Sequence, residues 1–328
     1  MSVRSRTLAL AGVAAAMLAQ TVTATLAVAQ DWPTRPIRFL QGFPAGGNAD
    51  VIARALGEEI SKTLGQPVIA EARPGASGNL ATEQVVRAQP DGYQIVLLTT
   101  AHVISPALLK SISFDPVKDL DFISWVVDFP FFLAVHNDSP FKTVNELIAA
   151  AKAKPDSLNW GSAGTGSGQH MSGELMLHVM QAKARHVPFR GDAGSVTALL
   201  SKSIDFIMAP STVLVGNIDG GNFRALAVSS QTRAPALPNV PTMTEALKAD
   251  IEMQALNAIA TTKGTPAPIL ARLTSAVHAA VKSPGIDKRL RDMGGTPSTT
   301  TNAEMAQKIE AHVKRWKQVV EAAGIKAE

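Results

Sequence analysis

The chain has 328 residues, 46% hydrophobic and 18% charged, a balance that excludes bulk disorder and suits two domains better than one core. It contains no cysteine, which rules out disulfides, thiolate metal sites, a cysteine nucleophile and a lipid-modified N-terminal cysteine. The formal charge of +4 is diffuse, with no dense Lys/Arg stripe, so no nucleic-acid partner is expected.

Residues 1–29 read as an address. Arg4 and Arg6 give a basic start, Thr7 to Ala29 carries no charge, and the stretch ends Ala27-Val28-Ala29. That is the pattern of a secretory signal peptide cleaved near Ala29. An uncleaved anchor is the alternative, but a stretch built of Ala and Thr with Gln20 inside makes a weak span. Cleavage leaves 29 basic against 27 acidic residues, so most of the basic excess disappears.

From Trp32 the pattern alternates between strand and helix. Residues 36–40 predict a strand, 42–50 a turn-rich stretch, and 51–64 a helix whose apolar positions recur at helical spacing and stop at Gly65. A strand at 67–70, a helix at 79–88 and a strand at 94–98 complete a first unit. A second unit has strands at 131–135, 158–160, 187–189, 206–208 and 225–228, with helices at 144–153, 169–180 and 194–200. The three prolines of 235–241 mark a surface loop, and two amphipathic helices, 268–282 and 302–322, close the chain. The expected class is α/β, with parallel strands and helices on the sheet faces. No repeat of 20–50 residues is present, so a solenoid is not expected.

Two glycine turns, Ala45-Gly46-Gly47 and Ser162-Ala163-Gly164-Thr165, each lead from the end of a strand into a helix. In an open sheet that edge is where ligands sit. Amides at a helix start lack internal partners and carry partial positive charge, so each turn is a candidate anion cradle. Neither contains the Gly-Lys-Ser/Thr of a P-loop, and Gly164-x-Gly166-x-Gly168 misses the dinucleotide spacing. No cofactor is therefore expected.

The Gly-x-Ser-x-Gly nucleophile elbow is also absent. An exported serine hydrolase using Ser162 or Ser167 with His170 remains an alternative without an aspartate positioned by sequence. His170, Glu174 and His178 share a helix face and approach His186 in sequence, but they form no zinc signature. His170 is either a site residue beside the second glycine turn or a helix-start histidine bonded to backbone. Asp50 reads as a cap. Arg190 is either a carboxylate clamp or a surface cation. Phe129 to Phe132 reads as core or hinge packing more than as a ligand platform.

Motifs in order along the whole mature chain carry a resemblance. They are Trp32-Pro33-Thr34-Arg35-Pro36-Ile37, Phe43-Pro44-Ala45-Gly46-Gly47 with Asp50, Arg73-Pro74-Gly75-Ala76-x-Gly78-Asn79, and Pro90-Asp91-Gly92-Tyr93. Further on come Ser162-Ala163-Gly164-x-Gly166-Ser167 with His170, Val187-Pro188-Phe189-Arg190-Gly191, Arg224 to Val228, Pro238-x-Val240-Pro241-Thr242 and Gly264-Thr265-Pro266. The chain resembles the Bug-type periplasmic solute-binding proteins of tripartite tricarboxylate transporters. The resemblance implies a two-lobed, type II-like periplasmic binding protein fold, with residues 31–130 and 252–328 in one lobe and 131–251 in the other. It implies a monomer in the periplasm that is not an enzyme. Such a protein takes a small carboxylate, a di- or tricarboxylate or an aromatic acid, and delivers it to membrane permease subunits. A ligand-sensing lobe of a signalling system is a further alternative.

The implied ligand-binding residues are Phe43, Ala45, Gly46, Gly47, Thr100, His102, Ser162, Ala163, Gly164, Thr165, His170 and Arg190. Three departures bear on ligand size and polarity. Glu71-Ala72 replaces the family's Glu-Asn, Phe189-Arg190 replaces Tyr-Lys, and a common Trp is missing near Gln254-Ala255-Leu256.

Overall fold

A computed structural model describes residues 32–109, 112–322 and 325. The expected signal peptide lies outside the described residues. Chain order is β1 (Ile37–Gln41), α1 (Asn48–Leu64), β2 (Val68–Ala72), a 3₁₀ turn (Ala76–Gly78), α2 (Asn79–Val86), β3 (Gln94–Thr99), α3 (Thr100–Leu108) and β4 (Leu120–His136). Then come α4 (Val144–Ala153), β5 (Asn159–Ser162), α5 (Gly168–Val179), β6 (Arg185–Pro188), α6 (Asp192–Leu200), β7 (Phe206–Pro210), α7 (Ser211–Asp219) and β8 (Phe223–Val228). The chain closes with α8 (Met243–Leu247), β9 (Gln254–Thr262), α9 (Ala267–Lys282), α10 (Pro284–Asp292), β10 (Thr296–Pro297) and α11 (Asn302–Ala322).

Local chemistry accounts for the first unit. In α1, Ile52, Leu56, Ile60 and Leu64 recur every four residues and are buried, so one helix face meets the sheet. Gly65 ends the helix in the left-handed region at φ 71°, and its N–H reaches the Ser61 carbonyl at 2.9 Å. Covered by helices, β3 carries the unbroken apolar run Ile95 to Leu98, as a strand buried on both faces must, while β1 buries Ile37, Phe39 and Leu40 and pairs its Arg38 with Glu71.

The sheet is not wholly parallel, which departs from the expectation. Its order is β2-β1-β3-β9-β4-β7-β5-β6, with β8 and β10 also paired to β4. β1, β2 and β3 run parallel, and so do β5, β6 and β7, but β9 is antiparallel to both β3 and β4. The cause is β4, a strand of 17 residues where sequence reading finds only its second half. Residues 120–130 of β4 pair with β9, whereas 131–136 pair with β7 and β8. Pro130 sits at this changeover, where a missing N–H does least harm to the ladders.

The return passage meets β4 at the same level. Ser229 exchanges backbone hydrogen bonds with Phe131 and Met253, and its side chain bonds to both. Phe129, Phe131 and Phe132 are fully or almost fully buried here. The C-terminal helices α9 and α11 return to the first unit, packing against α1 and α3 respectively and both against β4. No helix among the described residues is long and apolar enough to cross a membrane.

Candidate functional site

Five helices begin around one cavity of about 40 Å³. Its wall includes Asn48 and Ala49 of α1, Thr100 of α3, Gly168 and Gln169 of α5, Asp192 of α6, and Pro210 just before α7. Phe43, Phe131, Pro210, Ala255 and Leu256 make the apolar part of the lining. Each helix start contributes amides without intrahelical acceptors and a share of positive potential. Among the described residues, Asp192 is the only ionisable side chain in the lining. By this measure the space accepts two or three water-sized groups, so a larger ligand needs the walls to part.

At the α1 start, the chain leaves β1 and turns through Phe43, whose N–H donates to Gln41 Oε1 at 2.8 Å. Gly46 N–H donates to Asp50 Oδ2 at 3.1 Å, and Asp50 also holds Arg54. Asp50 therefore braces the turn itself. Asn48 is the crossing point. Its N–H donates to Asp192 Oδ2 at 2.8 Å, its Nδ2 donates to Asn257 Oδ1 at 3.0 Å, and its Oδ1 accepts from Thr212 Oγ1 at 3.0 Å.

At the α5 start, Gly164 has φ 118°, a conformation that L side chains rarely adopt, and a Cβ there would lie 3.2 Å from the Phe189 carbonyl. Ser167 caps α5 by accepting from His170 N–H at 3.2 Å. His170 Nδ1 in turn accepts from Gly166 N–H at 3.2 Å, so this histidine pins the glycine turn from below. Its ring stacks on His186 at 4.3 Å between centroids and on Trp160 at 6.0 Å. Burial lowers the pKa of His170 to about 4, while burial and the neighbouring His170 lower that of His186 to about 3. Both are neutral near pH 7. Across the cleft, Ser77 Oγ donates to the Thr165 carbonyl.

Ser162 is fully buried behind the turn, where Oγ accepts from Gly164 N–H at 3.1 Å and contacts His186 Nε2 at 2.7 Å. This serine–histidine pair is not the pairing with His170 that sequence reading considers. Among the described residues no carboxylate bonds to His186, and the hydroxyl has no open face toward a substrate. Among the described residues no group of three or more His, Asp or Glu is placed to hold a metal ion.

Of the sequence-predicted residues, Phe43, Thr100 and Ala163 line the cavity. Gly47 caps α1 against Asp192; Ala45 and Gly46 shape the same turn. Thr100 Oγ1 accepts from Leu256 N–H at 3.0 Å and donates to the Gln254 carbonyl at 3.2 Å, joining α3 to β9. His102 lies outside the cavity wall, with Nε2 2.9 Å from the Pro116 carbonyl and its ring stacked on Phe114. Arg190 is exposed and also outside the wall.

Sequence reading missed Asn48, Gln169, Asp192, Pro210, Ala255 and Leu256. Asp192 was within reach of the same rule that found the first two turns, because Gly191 joins β6 to α6 as they join their own strands and helices. Ala255 and Leu256 fall where the family's common Trp is missing, but no local pattern marks them as cavity wall, since β9 brings them from a distant part of the chain.

These features define a two-lobed α/β protein of the periplasmic solute-binding type, with a cavity where helix starts converge. Residues 52–325 match the model of the TctC family, the tripartite tricarboxylate transporter family receptor, and the chain belongs to that family of periplasmic binding proteins. It is 33% identical over 324 residues to the "UPF0065 protein in gbd 5'region" of Cupriavidus necator, covering 98% of each chain. It is 30% identical over 321 residues to protein BugT of Bordetella pertussis, covering 97% of this chain and 95% of that one. Among solved structures, the periplasmic binding protein BugD superposes with a TM-score of 0.87 at 30% identity, covering 90% of this chain and all of that one. The R. palustris protein Rpa4515 with adipate gives 0.87 at 28% identity, with 91% and 100% covered. MatC from Rhodopseudomonas palustris with bound malate gives 0.84 at 29% identity, with 88% and 100% covered.

Proposed function

We propose that this protein captures a small carboxylate between lobes formed by 31–130 with 252–328 and by 131–251, and presents it to membrane permease subunits of a tripartite tricarboxylate transporter. The observation that carries the reading is the convergence of five helix starts on a cavity whose wall, among the described residues, holds no basic side chain. Backbone amides and hydroxyls there read negative charge, as they do at anion-binding helix starts elsewhere. Two relatives with adipate and malate bound agree with that chemistry.

Opening separates Asn48 from Asp192 and Ser77 from Thr165, and it turns on the passages at Phe131 and Met253. A ligand that bridges the two sides shifts the population toward the closed form. A thermal-shift screen of about fifty carboxylic acids tests the reading, since binding at 100 times Kd adds about 2.7 kcal/mol of stability. A panel in which no acid raises the melting temperature would count against it.

A further inference from the structure

We propose that Asp192 is a built-in carboxylate that occupies the α1 cradle itself, leaving room for one carboxylate of the ligand, so that the cleft selects monocarboxylic acids over dicarboxylates. This rests on the carboxylate-binding reading above and narrows its ligand class.

The geometry is that of an anion already bound. Asp192 Oδ2 accepts from Asn48 N–H, the first amide of α1, at 2.8 Å. Its Oδ1 accepts from Gln169 Nε2 at 2.6 Å, while the single Ser195 hydroxyl proton is shared between the Asp192 carbonyl at 2.9 Å and Gln169 Oε1 at 3.1 Å. Each oxygen thus accepts from an N–H donor, the pattern an ionised carboxylate needs. The fit is close, because a Cβ on Gly47 would lie 2.6 Å from Asp192 Oδ2. Burial is the larger influence and raises the Asp192 pKa above the usual carboxylate value, while the Asn48 and Gln169 donors pull it part of the way back.

Among the described residues no basic side chain of the cavity wall offsets this carboxylate, so the positive ends of the helices are its compensation. A second negative charge placed beside it is repelled at short range in a poorly hydrated space. The α5 start on the opposite side, at Gly168 and Gln169, remains available to a ligand carboxylate. Phe43, Phe131 and Leu256 then receive an uncharged body, and a hydroxyl on its far end is able to donate to Asp192.

Calorimetric titration of wild type, Asp192→Ala and Asp192→Asn with hexanoate, 4-hydroxybenzoate, succinate and glutarate tests this, with circular dichroism to establish that each variant is folded. The expected result is that wild type prefers the monocarboxylates, and that Asp192→Ala gains about tenfold or more in affinity for succinate or glutarate. Asp192→Asn keeps the shape without the charge, and the same direction of change is expected, so it answers the question if the alanine variant does not fold. Small-angle scattering without ligand gives a second readout: wild type is compact, and Asp192→Ala has a larger radius of gyration. Dicarboxylates that bind wild type as well as the monocarboxylates do, with no gain in either folded variant, would overturn this inference while leaving the carboxylate reading in place. If none of the proteins binds any acid, both fall.

Discussion

Ser229 Oγ donates to the Met253 carbonyl at 2.6 Å while accepting from Phe131 N–H at 3.0 Å. One buried hydroxyl therefore ties together the two passages on which the proposed lobes turn. A serine here holds backbone groups that the sheet ladders no longer satisfy, because β4 changes partners at this level.

Ser229→Ala removes both bonds and leaves Phe131 N–H without its side-chain acceptor. The expected loss of stability is about 1–3 kcal/mol, read from the denaturant midpoint. An unchanged midpoint would mean that the hydroxyl is not part of what holds the passages together.

Gly47→Ala separates folding from closure. Gly47 has φ −89° and ψ 179°, ordinary extended backbone that alanine adopts without strain. The added Cβ meets Asp192 Oδ2 at 2.6 Å, so the variant disfavours the proposed closed arrangement and not the α1 fold itself. The variant is expected to unfold cooperatively, to have a larger radius of gyration, and to bind carboxylates at least about tenfold more weakly. Gly164→Ala, by contrast, strains the backbone at φ 118° and is expected to lose about 1–2 kcal/mol of stability.

Asp128 is a buried carboxyl whose pKa is raised to about 6, chiefly by burial, even though Trp125 Nε1 donates to it at 2.8 Å and Lys308 stands nearby. The folded state holds this proton at a pH where the unfolded chain, with its ordinary value near 3.8, has lost it. Stability from this group is therefore present at low pH and falls as pH rises from about 4 through 6. Asp128→Asn keeps an acceptor for the indole and removes the buried charge. At pH 7.5 the variant is expected to be more stable by as much as about 3 kcal/mol, with the gain shrinking toward pH 4.

His102 acts with the opposite sign. Burial lowers its pKa to about 4, below its usual 6.5, so the folded state keeps it neutral. Its contribution is complete above about pH 6.5 and is lost as pH falls from there toward 4, an effect of about 3 kcal/mol. In His102→Gln the difference from wild type should narrow by that amount over the same interval. Equal pH dependence in the two proteins would contradict the assignment.

Much of this fold was legible in the sequence, and its omissions have physical causes. Elements with one buried face, such as α1, α4 and α9, announced themselves by period. β9 did not, because every residue but Gln254 is buried and no alternation survives. α3 was hidden in the same way, with Thr100 to Ser105 buried all round and Pro106 inside. The consequence reached the site. The two glycine turns were read as cradles from local chemistry alone, whereas Asp192, Gln169 and Leu256 enter the cavity wall only through the crossing of distant elements. Hydrogen bonds such as Asn48 to Asp192, 144 positions apart, leave no trace in spacing.

A cleft of this kind is proposed to hold a carboxylate by its charge and shape. Titration calorimetry of the purified protein with each small carboxylic acid and with its primary amide tests this most directly. Saturable one-to-one binding of at least one acid is expected, with the matching amide weaker by about a hundredfold or more. Equal affinity for acid and amide, or no binding of any acid, would contradict it.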